Sequence, residues 1–83
     1  MDIGQAVQAL KERKKVARAG WDEQGMWLAY YPALVISNTD WLAFVVIRTP
    51  QGEYVPWTCS QADLLANDWV MVTEWSAADA ETA

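Results

Sequence analysis

One cysteine, Cys59, is all this chain offers toward a disulfide, so its 83 residues must close a core by packing alone or by associating with something else. A domain of this size buries only about 60–65% of the surface its unfolded chain exposes. A thin core follows, and with it the expectation of an oligomer, a bound ligand or both. The length sets a single domain, and a composition that is 53% hydrophobic and 20% charged argues against disorder. The lone thiol and the lack of a secretory pattern ahead of the first helical repeat read as cytosolic.

Several function classes are excluded by what is missing. The longest apolar run, Trp41 to Ile47, falls far short of the roughly 20 residues that cross a bilayer, so no membrane role is expected. Eleven acids against six bases give a net charge of −5, which argues against DNA or RNA as a partner, because such binding depends on many Lys and Arg contacts to phosphate. There is no His, which removes the commonest general base and metal ligand, and Cys59 and Ser60 have no base to activate them. Four scattered glycines, at 4, 20, 25 and 52, form no phosphate-cradling loop. The chain is therefore expected not to be an enzyme and to carry no cofactor or metal.

Along the chain, Ile3, Ala6, Val7 and Leu10 recur at helical spacing behind Asp2 and Gln5, a capping-box pair, which predicts a helix over residues 3–12. Lys11, Arg13, Lys14 and Lys15 at its end are assigned to the negative end of the helix dipole. Arg18 lies beyond them on a short strand with Val16, closed by Gly20. Met26 to Tyr31 is β-prone and ends at Pro32, whereas residues 33–40 read as a loop able to hold one short strand. Trp41 to Arg48, the turn Thr49-Pro50-Gln51-Gly52 and Glu53-Tyr54-Val55 make an antiparallel hairpin. Ser60 caps a second short helix over Gln61 to Ala66, with Asp63 returning a bond to the Ser60 amide, and Trp69 to Glu74 alternates as a last strand. Residues 76–83 are small and acidic and are expected to fray. The fold class is α+β: a small antiparallel β-sheet with one or two short helices, oligomeric because a sheet with aromatic residues on both faces would otherwise leave one apolar face wet.

Six tryptophans set the remaining expectations. Trp27, Trp41 and Trp69 sit within strands and are assigned to core or interface. Trp21 follows Arg18 in a Gly-bounded turn, and Trp57 stands between Pro56 and the capping Ser60; either covers an end of the sheet or lines a pocket. Asp22, Glu23, Asp63 and Asp68 are accounted for by turns and caps rather than by acid–base work.

Three stretches carry a family resemblance. They are Ile3 to Lys11 leading into Lys14-Lys15-Val16-Ala17-Arg18-Ala19-Gly20-Trp21, then Gly25-Met26-Trp27-Leu28, then Tyr54-Val55-Pro56-Trp57-Thr58-Cys59-Ser60-Gln61-Ala62-Asp63-Leu64-Leu65-Ala66-Asn67-Asp68-Trp69. The chain resembles the Thoeris anti-defense 2-like family of small phage and prophage proteins over about residues 3–73, within a domain taken as 1–75. That resemblance implies a sponge in the bacterial cytoplasm, which holds a cyclic ADP-ribose-type signal made by TIR proteins without cleaving it; some relatives also take up cyclic dinucleotides. It implies a homotetramer with ligand pockets between subunits. The expected ligand-binding set is Arg18, Trp21, Met26, Trp57, Ser60, Gln61, Asp63 and Asp68. In it an indole stacks on a base, Arg18 meets a phosphate, the two aspartates accept from ribose hydroxyls or base amines, and Ser60 with the first amides of its helix holds a phosphate. The alternative is a protein–protein interaction module using the Trp-rich face.

Overall fold

The computed structural model describes residues 1–72. Helix α1 spans Ile3–Lys11, and the expected capping box opens it: Gln5 N donates to Asp2 Oδ1 at 2.8 Å and Asp2 N to Gln5 Oε1 at 3.0 Å. The chain then runs through β1 (Val16–Arg18), a 3-10 turn (Asp22–Gln24), β2 (Trp27–Tyr31), β3 (Leu34–Ile36), β4 (Thr39–Trp41), β5 (Phe44–Arg48), β6 (Tyr54–Pro56), α2 (Gln61–Leu65) and β7 (Trp69–Met71). Five strands form an antiparallel sheet in the order β6-β5-β2-β1-β7, and β3 and β4 pair separately. This is the α+β class expected. The predicted continuation of the last strand to Glu74, the indole of Trp75 and the acidic tail lie outside the described residues.

Two local expectations give way. Residues 33–40 are not mostly loop, and Trp41 does not begin the long strand. Ser37 and Asn38 both adopt left-handed φ, 51° and 62°, the geometry of a two-residue hairpin turn whose twist suits antiparallel strands. That turn folds Thr39–Trp41 back onto Leu34–Ile36, so the strand expected over Trp41 to Arg48 is broken at Leu42 and Ala43 and resumes at Phe44. The hairpin between β5 and β6 forms as predicted, closed by Gly52 N donating to Thr49 O at 2.9 Å, with Gly52 at φ 91°.

Alternation along the strands sends side chains to two faces. On one, Val16, Leu28 and Trp69 meet Ala6, Ala9 and Leu10 of α1 in the principal core, with Tyr30, Val45, Ile47 and Trp57 at its margin. The fully buried Leu10 and Leu28 each contribute about 1.5–3 kcal/mol by leaving water. On the other face Ala17, Trp27 and Val72 form a smaller buried cluster, and Phe44, Val46 and Tyr54 continue it toward the β3–β4 hairpin. Trp27 and Trp69 are core residues as expected, whereas Trp41, expected in core or interface, is half exposed on the hairpin and so is not part of the core. No helix among the described residues is long and apolar enough to cross a membrane.

The basic cluster after α1 is not a set of helix-end charges. Only Lys11 lies in the last turn. Arg13 turns out of the helix at φ 68° and its guanidinium lies over Tyr30, 4.4 Å from the ring centroid. Lys14 pairs with Glu12 at 3.2 Å, and Lys15 reaches Trp27 on the far sheet face. The left-handed turn at Arg13, just past the helix end at Lys11, disperses the charges that follow.

Candidate functional site

Most of the expected binding residues converge where β1 meets β7. Arg18 pairs in register with Trp69, so the residue before Trp69, Asp68, and the α2 residue Asp63 both come within reach of the guanidinium. Arg18 Nε and Nη2 donate to Asp68 Oδ1 and Oδ2 at 2.8 and 3.3 Å, and Nη1 donates to Asp63 Oδ1 at 3.0 Å. The hydrogen bonds that Arg18 donates to Asp68 first, then to Asp63, raise the Arg18 pKa, and Arg18 in turn holds the Asp68 carboxyl below its usual range. Asp63 is thus neither a simple cap nor a free acceptor. Its amide donates to Ser60 Oγ at 3.1 Å, as a cap requires, but its carboxylate is turned to Arg18 and the expected return bond to the Ser60 amide is not formed.

Around this ion cluster stand three indoles. Trp69 is fully buried and its Nε1 donates to Asp63 O at 3.1 Å. Trp21 and Trp57 meet it edge to face from two sides, with centroids 5.5 and 6.0 Å away at interplanar angles of 76° and 86°. Backbone bonds fix both: Trp21 N donates to Arg18 O at 3.0 Å, and Trp57 N to Val45 O at 2.9 Å. Each is only partly buried and packs against the margin of the principal core, covering that end of the sheet. Met26 is brought beside Trp21 by its amide, which donates to Trp21 O at 3.0 Å. Ser60 and Gln61 are exposed at the start of α2. The structure therefore gathers Arg18, Trp21, Trp57, Asp63 and Asp68 into one surface, with Ser60 and Gln61 at one edge and Met26 at another.

The electrostatics of that surface differ from the expectation for Arg18. Two carboxylates around one guanidinium leave a net negative charge, and three of its five N–H donors are already engaged. Hydroxyl and amine donors suit this surface better than an anion does.

The opposite sheet face holds features that the sequence reading did not assign. A cleft of about 450 Å³ opens between the hairpin and the sheet. Tyr31, Phe44 and Val46 form its floor, Tyr54 and Pro56 one side, and Leu34, Ile36 and Trp41 the other. Tyr31 and Phe44 are stacked at 5.5 Å. Beside it, Arg48 lies over Trp27, 4.7 Å from the ring centroid, and donates to Gly25 O. The signal that could have found this face is the alternation of Phe44, Val46 and Arg48 against Trp27, Ala29 and Tyr31, but only once the two strands are known to pair.

A small α+β domain with aromatic and charged side chains partly exposed on both faces of its five-stranded sheet has the equipment of a small binding domain. Residues 1–72 match the Thoeris anti-defense 2-like domain, and the chain belongs to that family. It is also similar to Thoeris anti-defense 2 of Bacillus phage SP01, with 27% identity over 85 aligned residues that span 88% of this chain and 96% of the relative.

Proposed function

We propose that this protein is a phage-type anti-defense sponge: it binds a cyclic nucleotide immune signal, glycocyclic ADP-ribose made by TIR proteins, and holds it uncleaved in the host cytoplasm so that the effector is not activated. Membership of the family over residues 1–72 is the observation that carries this reading. A base stacks on Trp21 or Trp57, each stack contributing about 1–3 kcal/mol. Asp63 and Asp68, held in place by Arg18, accept from ribose hydroxyls or base amines, with Met26, Ser60 and Gln61 at the margin. A Kd of about 10 nM needs about −11 kcal/mol, more than two stacks and one charged contact supply. Pockets completed between subunits of a homotetramer provide the rest, and the half-buried state of Trp21 and Trp57 suits residues that finish burying against a partner copy and a ligand.

Native mass spectrometry with glycocyclic ADP-ribose isomers and cyclic dinucleotides tests this directly. A tetramer that gains intact ligand mass, with at least tenfold weaker uptake in Trp21→Ala, supports the sponge. Release of a cleaved nucleotide, or no uptake from the whole panel, overturns it. The second reading, a protein–protein interaction module, draws on the exposed hairpin, where Val35, Trp41 and Leu42 are 66%, 50% and 83% accessible. In that case the panel gives no mass gain, and substitutions at the hairpin rather than at Trp21 abolish anti-defense activity.

A further inference from the structure

The β3–β4 hairpin forms one wall of the aromatic cleft without joining the five-stranded sheet. Ile36 and Trp41 of this wall stay 53% and 50% accessible beside the stacked rings of Tyr31 and Phe44. Among the described residues nothing fills the space between, and its volume of about 450 Å³ has room for one indole with its flanking backbone.

A cation stands next to the cleft. Arg48 lies opposite Tyr54 in the β5–β6 register, and its guanidinium sits over Trp27, 4.7 Å from the ring centroid. A Cβ at Gly25 would stand 2.7 Å from Arg48 Nη1 and one at Gly52 3.2 Å from Nη2, so glycine at both turns leaves the guanidinium its seat. Among the described residues no carboxylate is within ion-pair distance of Arg48, whereas Arg18 has two. The cleft and this arginine together suit an acid next to an aromatic ring.

The chain carries that pair of residues to this face. Val72 is buried with Ala17 and Trp27, so it packs on the same indole that Arg48 covers. Its amide donates to Lys15 O at 2.9 Å, and the strand registers put it in one row with Ala29, Val46 and Pro56, the last two of which line the cleft. From β7 to β2 is two strand spacings, about 9.5 Å. Three residues of extended chain span about 10 Å, which brings a residue at 75 over the Tyr31 end of β2. The residues that follow Val72 are Thr73, Glu74 and Trp75, and residues 73–83 hold three acids and no base.

We infer that the cleft is a docking site for an acid–aromatic peptide segment and that its occupant is the chain's own Glu74-Trp75: the indole enters between Trp41 and Tyr54, and the carboxylate meets Arg48. The segment then straps the hairpin to the sheet. Charge complementarity selects it over a purely apolar occupant, and its attachment at Val72 supplies it at high effective concentration. The strap lies on the sheet face opposite the Arg18, Trp21 and Trp57 surface and does not depend on what binds there.

NMR of the 13C,15N-labelled full chain tests this. The Trp75 ring is expected to give nuclear Overhauser contacts to the rings of Tyr31, Phe44 and Tyr54. Trp75→Ala should shift those ring signals, leave the Trp57 indole in place, and speed amide exchange in the β3–β4 hairpin at least tenfold. Glu74→Gln and Arg48→Gln should each speed that exchange, and the double variant no further than either alone, because one ion pair is lost in all three. Should Arg48→Gln unfold, Glu74→Gln and Trp75→Ala decide the matter, since they alter nothing in the sheet. The inference is overturned if Trp75 gives no contact to the cleft rings, or if Trp75→Ala or Glu74→Gln leaves hairpin exchange at the wild-type rate. It is also overturned if a mixture of labelled and unlabelled chains shows the contacts only between chains, which would give the cleft to a second copy.

Discussion

Arg18 and Asp68, fifty positions apart, form a two-pronged ion pair in which Nε and Nη2 of the one donate to Oδ1 and Oδ2 of the other at 2.8 and 3.3 Å. The pair ties the end of β1 to the residue before β7, and the Ala19 amide reinforces it by donating to Asp68 O at 3.0 Å. Parallel N–H donors matched to both carboxylate oxygens give this contact more geometric definition than a single-point surface pair has.

The pair predicts how stability responds to acid. Arg18 lowers the Asp68 pKa, so the folded state binds its proton less readily than the unfolded chain does. The contribution is fully present above the ordinary aspartate value, about 3.9, and is lost as pH falls through the lower folded value. A carboxyl titration followed by NMR should place Asp68 below the ordinary range in the wild type and return it toward that range in Arg18→Met. The fall in melting temperature below about pH 4 should be shallower in that variant. An Asp68 midpoint unaffected by the substitution would show that the pair does not hold in solution.

Trp69 predicts the largest single loss. It is fully buried, carries Trp21 and Trp57 on its edges, and its indole N–H satisfies Asp63 O. Trp69→Ala removes all three relations and is expected to cost about 3–5 kcal/mol, a large part of the 5–15 kcal/mol that holds a typical domain folded. Trp69→Phe keeps most of the packing but leaves the Asp63 carbonyl with only the Ala66 amide, at 3.4 Å, as donor, and is expected to cost about 0.5–1.5 kcal/mol for the lost bond. Urea unfolding of the two variants should rank them in that order; equal losses would mean that the hydrogen bond contributes nothing.

How much of this could be read in the sequence depends on whether the cause is local. The α1 capping box needs only Asp2 and Gln5, and the β5–β6 turn only Thr49 to Gly52, so both were legible. The β3–β4 hairpin has its signal too, in two turn-forming residues, but Ser37 and Asn38 suit loops of many lengths, and a two-residue turn is singled out only once Leu34–Ile36 and Thr39–Trp41 pair. Arg18 shows the limit. Its neighbours in sequence reveal a cation near the end of a strand, whereas Asp63 and Asp68 reach it only through the β1–β7 register. The cleft face was hidden for the same reason: Trp27 opposite Arg48, and Arg48 opposite Tyr54, are facts of strand pairing.

Asp2 tests whether that local legibility carries energy. Its side chain and that of Gln5 satisfy each other's amides at the start of α1, the helix that covers Val16, Leu28 and Trp69. Asp2→Ala is expected to cost about 1 kcal/mol, and Asp2→Asn, which keeps the accepting oxygen, much less. Chemical denaturation should show the midpoint lowered with an unchanged slope, since the helix stays docked. A change in slope would instead mean that α1 detaches before the sheet unfolds.

Two glycines separate backbone strain from the crowding of a side chain. Gly20 and Gly25 both hold left-handed φ, 91° and 77°, so an alanine at either position meets the same conformational penalty, about 1–2 kcal/mol. They differ in surroundings. A Cβ at Gly20 meets nothing within 4 Å, whereas one at Gly25 stands 2.7 Å from Arg48 Nη1 and must push the guanidinium aside. Because that side chain is flexible at its end, the displacement breaks its bond to Gly25 O and its seat over Trp27 without deforming the sheet. Gly25→Ala should therefore lose more stability than Gly20→Ala by about one hydrogen bond to a charged donor, roughly 1.5–3 kcal/mol. It should also shift the Trp27 indole resonance, which Gly20→Ala leaves in place. Equal losses with an unmoved Trp27 signal would mean that Arg48 finds an equivalent seat, and the turn glycine would then serve the backbone alone.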